Sequence, residues 1–113
     1  MPYIEAKLSV KLDETQKNEL QAKLTNVVAK DFSKPKTYIM ASIEDDKALY
    51  MAEKKLDYGA YISIKLLGST TKSACQSLTK NICDILSEYK INPSNVYVTY
   101  HPVDLWGWSG SMF

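Results

Sequence analysis

The chain has 113 residues, of which 45% are hydrophobic and 24% charged, and its formal net charge is +1. These values predict one soluble globular domain, residues 1–113, with a single two-layer core. The near-neutral charge and the absence of a basic stripe argue against nucleic acid or a membrane surface as the main partner. No stretch is apolar for long enough to span a membrane, and the first residues do not have the pattern of a signal segment.

The chain opens with Met1-Pro2. Because the second residue is small, we expect removal of the methionine, which would leave Pro2 with a free secondary amine. Buried near a cation, such an amine is neutral at physiological pH and takes a proton from carbon. Pro2 is therefore the first candidate catalytic residue. The alternative interpretation is that a proline at this position has no special role.

In the first half, apolar and polar residues alternate over residues 3–10, which predicts a strand. Asp13 and Gln16 form a capping-box pattern that predicts the start of a helix. Lys34-Pro35 predicts its end, because the residue before proline is pushed towards extended geometry. Residues 38–43 then return as a second strand. The helix carries one apolar stripe, made by Leu20, Leu24, Val27, Val28 and Phe32.

The second half repeats this pattern 58 positions later. Residues 60–67 alternate as a strand, residues 69–71 supply a helix cap, and Asn92-Pro93 ends the second helix. Residues 96–100 form the last long strand. The second helical stripe consists of Cys75, Leu78, Ile82, Ile85, Leu86 and Tyr89.

The internal repeat, approximately 2–45 and 60–103, predicts an α+β fold of two pseudo-symmetric β-α-β units. Right-handed crossovers would place both helices on one face of a four-stranded sheet. The other face then lacks a covering layer within the chain, although large side chains such as Tyr3, Tyr61 and Tyr97 lie on it. We therefore expect subunits to associate through their sheets.

The choice of basic residues and cysteines limits the chemistry. All 14 basic residues are lysines, so an anionic substrate must be held by lysine ammonium groups and backbone N–H groups. Cys75 and Cys83 are separated by about 12 Å of helical rise, too far for a disulfide. With His101 as the single histidine, a metal site is not expected. We expect reduced core thiols and, by default, a cytoplasmic protein.

An ordered set of short motifs runs along the whole chain and resembles the macrophage migration inhibitory factor family of the tautomerase superfamily. The set consists of Pro2 opening a strand, Lys34-Pro35 before Tyr38-Ile39-Met40, Ser63-Ile64 followed by Gly68, Val96-Tyr97-Val98, and the terminal Trp106-Gly107-Trp108-Ser109-Gly110-Ser111-Met112-Phe113. The resemblance implies a homotrimer, in which three sheets form a barrel wrapped by six helices. It also implies a cofactor-free keto–enol tautomerase whose pockets lie between adjacent subunits.

The resemblance assigns roles to particular residues. Pro2 would be the general base, and Lys34 would lower its pKa and bind a substrate carboxylate, although Lys34 is also a common helix-terminal cation. The backbone N–H of Ile64 would bind substrate oxygen. Tyr97 would reach the pocket from the neighbouring subunit, unless it only packs an interface. The pocket walls would include Met40, Thr99, Trp106, Trp108 and Phe113.

Four features depart from the usual family pattern. Lys65 stands where a glycine usually follows Ser63-Ile64, and it adds positive charge that could favour acidic substrates. Trp106 is bulkier than the usual aliphatic residue, and Thr99 stands where asparagine is common. Residues 50–55 replace a glycine-containing stretch and are interpreted as a charged turn.

The resulting hypothesis is an isomerase of the phenylpyruvate tautomerase or dopachrome isomerase type, acting without cofactor on a small aromatic keto or enol acid. One alternative is a cytokine-like signalling protein, secreted without a signal peptide and bound by a cell-surface receptor. Another is a trimeric scaffold with vestigial catalysis. Binding of a receptor that survives replacement of Pro2 would distinguish signalling from catalysis.

Overall fold

The structure, a computed structural model, describes all residues 1–113 and is built on a mixed four-stranded sheet. The sheet has the strand order β2-β1-β5-β6, with parallel outer pairs and an antiparallel central pair. Each half of the chain therefore supplies one parallel pair, and the halves meet at the centre. The elements are β1 (Pro2–Leu8), α1 (Glu14–Asp31), β2 (Met40–Glu44), β3 (Tyr50–Met51), β4 (Lys54–Lys55), β5 (Ala60–Leu67), α2 (Lys72–Ser87), β6 (Val96–Val103), β7 (Gly107–Trp108) and β8 (Ser111–Met112).

Both helices begin where the capping residues predict. The Asp13 carboxylate accepts a hydrogen bond from the Gln16 backbone N–H at 2.8 Å, and the Gln16 side chain accepts one from the Asp13 N–H at 3.0 Å. At α2 the Thr71 hydroxyl accepts from the Ala74 N–H at 3.1 Å. These bonds satisfy backbone donors that a helix start leaves free. Helix α1 ends ahead of Pro35, as expected, but the chain turns at Ser33, whose φ is 51°.

Both helices cover the same face of the sheet, as predicted. That face is lined by alternate residues of β1 and β5, which are buried; their neighbours are not, except for Ser63 of β5. The residues that make the centre of the core have no exposed surface: Ile4, Ala6, Leu8, Leu20, Leu24, Val28, Ile62, Ile64, Leu78, Ile82 and Leu86. Cys75 and Cys83 are free, half-buried thiols; Cys75 packs against this core, and neither thiol lies inside it.

Neither helix packs on the opposite face of the sheet, which is largely polar. Tyr61 and Thr99 share a hydrogen bond of 2.7 Å, and Thr99 is in turn bonded to the His101 ring at 2.8 Å. Glu5 and Lys7 lie on the same face with their charged groups 3.8 Å apart. Because charged and hydroxyl groups lose hydration on burial, this face favours contact with water over a dry interface between sheets.

Three local features differ from the sequence-based predictions. Strand β2 begins two residues later than predicted, because Lys36–Tyr38 form a 3-10 turn after Pro35. Residues 50–55, predicted as a charged turn, form a hairpin, β3–β4. The C-terminal segment forms a further hairpin, β7–β8. Neither α1 nor α2 has the length and apolar character that a bilayer crossing requires.

Candidate active site

A cavity of about 590 Å³ opens at the first residues of β1. Since β1 is a central strand, paired with β2 on one side and β5 on the other, the backbone at this end of the cavity is held firmly in place. The rest of the wall comes from the 3-10 turn before β2, from β5, and from β7. The lining residues are Met1, Pro2, Tyr3, Thr37, Tyr38, Ile39, Met40, Lys65, Trp106, Gly107 and Trp108.

Pro2 is buried at the start of β1, opposite Leu66 of β5. The carbonyl of Met1 accepts a hydrogen bond from the Leu67 N–H at 3.3 Å, so Met1 continues the line of the strand. Burial lowers the pKa of the Met1 amine below its ordinary value, and the nearby positive charge of Lys34 lowers it further. The chain terminus therefore lies in surroundings that favour a neutral amine.

Lys34 reaches this region from the turn that follows α1. Its backbone N–H donates to the Ala29 carbonyl at 3.0 Å, which fixes the turn to the end of the helix. Lys34 is half-buried, and although it is not one of the lining residues, its charge acts on the Met1 amine. The structure thus brings Lys34 close enough to the start of β1 for its charge to act on the Met1 amine.

Aromatic side chains form the wall opposite the sheet. The ring of Trp108 meets that of Tyr38 edge-on, with centroids 5.6 Å apart, and stacks with Phe113 at 6.0 Å. The Phe113 N–H donates to the Trp106 carbonyl at 3.1 Å and closes the C-terminal hairpin. Such aromatic pairs add stability beyond the area they bury. Trp106, Trp108 and Met40 line the cavity directly, whereas Phe113 supports Trp108 from behind.

Two of the candidate residues lie elsewhere in the chain's own fold. Tyr97 is 66% exposed and lines a separate, mostly apolar cavity of about 280 Å³ with Tyr50 and Tyr61. Tyr97 pairs with Tyr61 of β5, whereas Pro2 pairs with Leu66 of the same strand. Five residues of strand separate Tyr61 from Leu66, a length of about 17 Å. Thr99 is bonded within the polar network of the open sheet face. Neither side chain therefore contacts the Pro2 cavity of its own chain.

Ile64 occupies a third kind of position. Its side chain has no exposed surface and belongs to the core, and its backbone pairs with Ile4 across the central strands. The side chain of Ile64 therefore serves packing.

Five lining residues were not among the predicted site residues: Tyr3, Thr37, Tyr38, Ile39 and Gly107. Tyr3 is the register partner of Met40, which was predicted to line the pocket, so knowledge of the pairing of β1 with β2 would have identified Tyr3. Pairing is a long-range property that a single strand pattern does not show. No group of three or more histidine, cysteine or acidic side chains is arranged to hold a metal ion.

Comparison with known proteins gives one family and many similar folds. The family model described as macrophage migration inhibitory factor (MIF) matches residues 1–113. MIF2 of Leishmania major is 23% identical, with a TM-score of 0.92 over 100% of this chain and 97% of that one. A homologue of macrophage migration inhibitory factor from Prochlorococcus marinus is 24% identical, with a TM-score of 0.89 over 98% of each chain.

A third solved structure is that of Pt0534 inactivated by 2-oxo-3-pentynoate. It is 15% identical, with a TM-score of 0.85 over 96% of this chain and 93% of that one. At these identities the similarity is one of fold. No protein of curated function matches the chain.

Proposed function

The chain belongs to the macrophage migration inhibitory factor family, and from this membership we propose that it is a cofactor-free keto–enol tautomerase. The activity would be an isomerase activity of the phenylpyruvate or dopachrome type. One observation carries the proposal: the N-terminal amine lies in an aromatic-walled cavity where burial and Lys34 both lower its pKa. An amine that is neutral near physiological pH is the group that proton abstraction from carbon requires.

Removal of Met1 is the first requirement, because the Pro2 nitrogen is an amide while Met1 is attached. The Pro2 nitrogen lies one residue further into the sheet than the Met1 amine, and Pro2 is buried. The same burial and the same Lys34 charge would therefore act on the freed secondary amine and lower its pKa.

In the proposed reaction, the neutral Pro2 nitrogen takes a proton from the carbon next to the ketone. The C–H electron pair becomes the new C–C double bond, and the carbonyl oxygen gains negative charge. That oxygen takes a proton from water, and the Pro2 ammonium returns its proton to water. Lys34 holds the substrate carboxylate and stabilises the developing negative charge. The aromatic wall around Trp108 would contact an aromatic ring of the substrate.

We also propose that three copies of the chain form the active protein. Exposed aromatic residues lie in two groups, one around Trp108 and Phe113 and the other around Tyr50 and Tyr97. A head-to-tail ring that joined one group to the other would cover both. It would also bring Tyr97 of one copy to the Pro2 cavity of the next. A small number of such copies closes the ring without leaving an exposed end.

The test is the enol–keto conversion of phenylpyruvate by protein whose loss of Met1 is established by intact mass. Pro2→Gly keeps an N-terminal amine but removes the secondary amine and is the matched variant. Turnover that is lost in Pro2→Gly supports Pro2 as the base. Absence of turnover in the processed protein contradicts the proposal.

Covalent labelling gives a second measurement. Pt0534 is inactivated by 2-oxo-3-pentynoate, and we expect the same reagent to add to this protein at Pro2. In that addition the nitrogen bonds to an alkyne carbon, and a proton moves to the adjacent carbon. Peptide mass spectrometry should locate the added mass on the N-terminal peptide and find none there while Met1 is retained.

A non-catalytic role is favoured by two lining residues. Lys65 and Trp106 add charge and bulk to the cavity wall, which would suit a scaffold or a cytokine-like signalling protein with a vestigial site. Receptor binding that is unchanged in Pro2→Gly, together with no turnover in the processed protein, would support this alternative.

A further inference from the structure

We infer that Lys65 is an anion-binding residue of the Pro2 cavity and that its preferred ligands are 2-oxo acids with a second carboxylate. For turnover the inference depends on the proposed function, but for ligand binding it does not. Among the lining side chains, Lys65 is the only charged one, and most of the others are apolar or aromatic.

Lys65 is placed in this cavity by the register of the sheet. Met40 of β2 pairs with Tyr3 of β1, and Tyr3 pairs with Lys65 of β5. These three residues form one row across the open face, and all three line the cavity. Strand β5 is bonded on both sides, to β1 and to β6. The backbone that carries Lys65 is therefore among the most firmly held in the fold.

The charge of Lys65 has no partner within the chain. Lys65 makes no salt bridge or side-chain hydrogen bond, and its side chain is exposed. The acidic residue on the adjacent part of the same face is Glu5, whose carboxylate lies 3.8 Å from Lys7 and 3.5 Å from the Tyr3 hydroxyl. On its other side Lys65 pairs with His101, which adds no negative charge. Lys65 is therefore free to pair with the negative charge of an anion that enters the cavity.

The two lysines near Pro2 approach from different directions. Lys34 comes from the end of α1, which packs on the covered face of the sheet, whereas Lys65 extends from the open face. Lys65 is next to Leu66, the register partner of Pro2. A short dianion could therefore place one carboxylate near Lys34 and the other near Lys65.

Binding can be measured without turnover, because both tryptophans of the chain, Trp106 and Trp108, line the cavity. Quenching of tryptophan fluorescence would be titrated with 2-oxoglutarate and with 2-oxopentanoate, which carries a methyl group in place of the distal carboxylate. The protein is the full chain with Met1 removed. The variants are Lys65→Met and Lys65→Glu, with Lys72→Met as the control, since Lys72 is an exposed, unpaired lysine on α2.

We expect the wild-type protein to bind 2-oxoglutarate roughly tenfold more tightly than 2-oxopentanoate, which is the range of one charge-assisted contact partly open to solvent. Lys65→Met should remove most of this preference, Lys65→Glu should reverse it, and Lys72→Met should retain it. Far-UV circular dichroism would show that each variant is folded. The inference is overturned if the wild type binds both ligands equally or binds neither. It is also overturned if Lys65→Met keeps the preference or Lys72→Met loses it.

The same protein separates this inference from the proposed function. If phenylpyruvate is not converted but the Lys65-dependent preference is present, the tautomerase proposal fails and the anion site stands. If phenylpyruvate is converted and the preference is absent, the tautomerase proposal stands and the anion site fails. If both are present, conversion of a dicarboxylic 2-oxo acid should show the same loss of kcat/KM in Lys65→Met that binding shows.

Discussion

The carboxylate of Asp45 accepts a hydrogen bond from the backbone N–H of Leu12 at 2.9 Å, across 33 positions of the chain. The same carboxylate lies 3.1 Å from the Lys17 ammonium. The loop after β2 is thereby tied to the segment between β1 and α1. The bond from Leu12, and then the bond from Lys17, lower the pKa of Asp45 below its ordinary value of 3.8.

Replacement of Asp45 should separate these two contributions. Asp45→Ala leaves the Leu12 N–H without its acceptor, and we expect a loss of about 1–2 kcal/mol in the free energy of unfolding at pH 7. Asp45→Asn retains an acceptor and should lose less. Urea denaturation of both variants measures the difference. Equal losses would mean that the ion pair with Lys17 dominates.

The pH dependence of the Asp45 contribution follows from the direction of its pKa. A carboxyl whose pKa is lowered by folding stabilises the fold above the unfolded pKa, and this stability is lost as the pH falls through the folded value. The difference between wild type and Asp45→Ala should therefore be complete above about pH 5 and shrink below pH 3.8. A difference that stayed constant between pH 7 and pH 3 would contradict this assignment.

Two buried tyrosine hydroxyl groups should respond in opposite ways to replacement by phenylalanine. The Tyr89 hydroxyl is buried without a hydrogen-bond partner. The Tyr100 hydroxyl is bonded to the Thr79 hydroxyl at 2.8 Å and donates to the Cys75 carbonyl at 3.2 Å. We expect Tyr89→Phe to leave stability unchanged or to raise it by about 1 kcal/mol, and Tyr100→Phe to lower it by about 1 kcal/mol. Thermal unfolding of the pair, compared with wild type, is the measurement.

The β3–β4 turn is held in an unfavourable backbone conformation. Ala52 and Glu53 have φ values of 50° and 66°, in the left-handed region where side chains cost about 1–2 kcal/mol. Glu53→Gly should therefore raise the free energy of unfolding by about 1 kcal/mol. The converse control is Gly68→Ala, since Gly68 has a φ of 89° and open space around it. A loss of stability in Gly68→Ala comes from backbone strain alone, and a gain there would contradict the argument for both positions.

Removal of the Lys34 charge should shift the pH profile of catalysis. If the Pro2 amine is the base, kcat/KM for phenylpyruvate falls as the pH drops through its pKa, because the protonated amine takes no proton. Lys34→Met removes a cation that favours the neutral amine, so the acidic limb should move to higher pH. The loss of the carboxylate contact should also lower kcat/KM roughly tenfold or more.

Lys36→Met is the matched control for this measurement, since Lys36 is exposed and lies two residues further along the chain. It should leave the profile in place. An acidic limb that does not move in Lys34→Met would separate Lys34 from the proton-transfer step. A limb that moves equally in both variants would point to a general effect of net charge.

Mixing of inactive variants tests whether a site is shared between copies. We expect Tyr97→Ala and Pro2→Gly to lower phenylpyruvate turnover when each is assembled alone. After the two are unfolded together and refolded, some cavities would combine a native Pro2 with Tyr97 of another copy, and activity should return in part. Light scattering should give three times the subunit mass throughout. Mixed assemblies without recovered activity would place Tyr97 outside the site.

Local signals in the sequence were sufficient for the helices and the sheet faces. Asp13 and Thr71 start their helices through bonds to residues three positions away, and the burial of β1 and β5 follows their alternation. The hairpin at Ala52 and Glu53 was missed, because its turn contains neither glycine nor asparagine and its backbone is unfavourable for both residues.

Only part of the candidate site could be predicted from the sequence. Motif order predicted Pro2 and Lys34 as a pair, and in the structure the Lys34 charge acts on the Met1 amine that precedes Pro2. The row of Met40, Tyr3 and Lys65 depends on the register between three strands that are far apart in sequence. Register is set by the packing of the whole sheet, so a pattern within one strand does not contain it.

Residues near both ends of the sequence meet at one cavity, with Met1 and Pro2 on the sheet side and Trp106 and Trp108 on the other. An affinity tag or fluorescent fusion joined to either end would therefore stand beside the proposed catalytic amine, and an N-terminal tag would also block it. Lys72, exposed on α2, lines neither that cavity nor the one around Tyr50 and Tyr97. A small label at position 72 is the better choice for following the protein in cells, and it would leave the chain terminus free for processing.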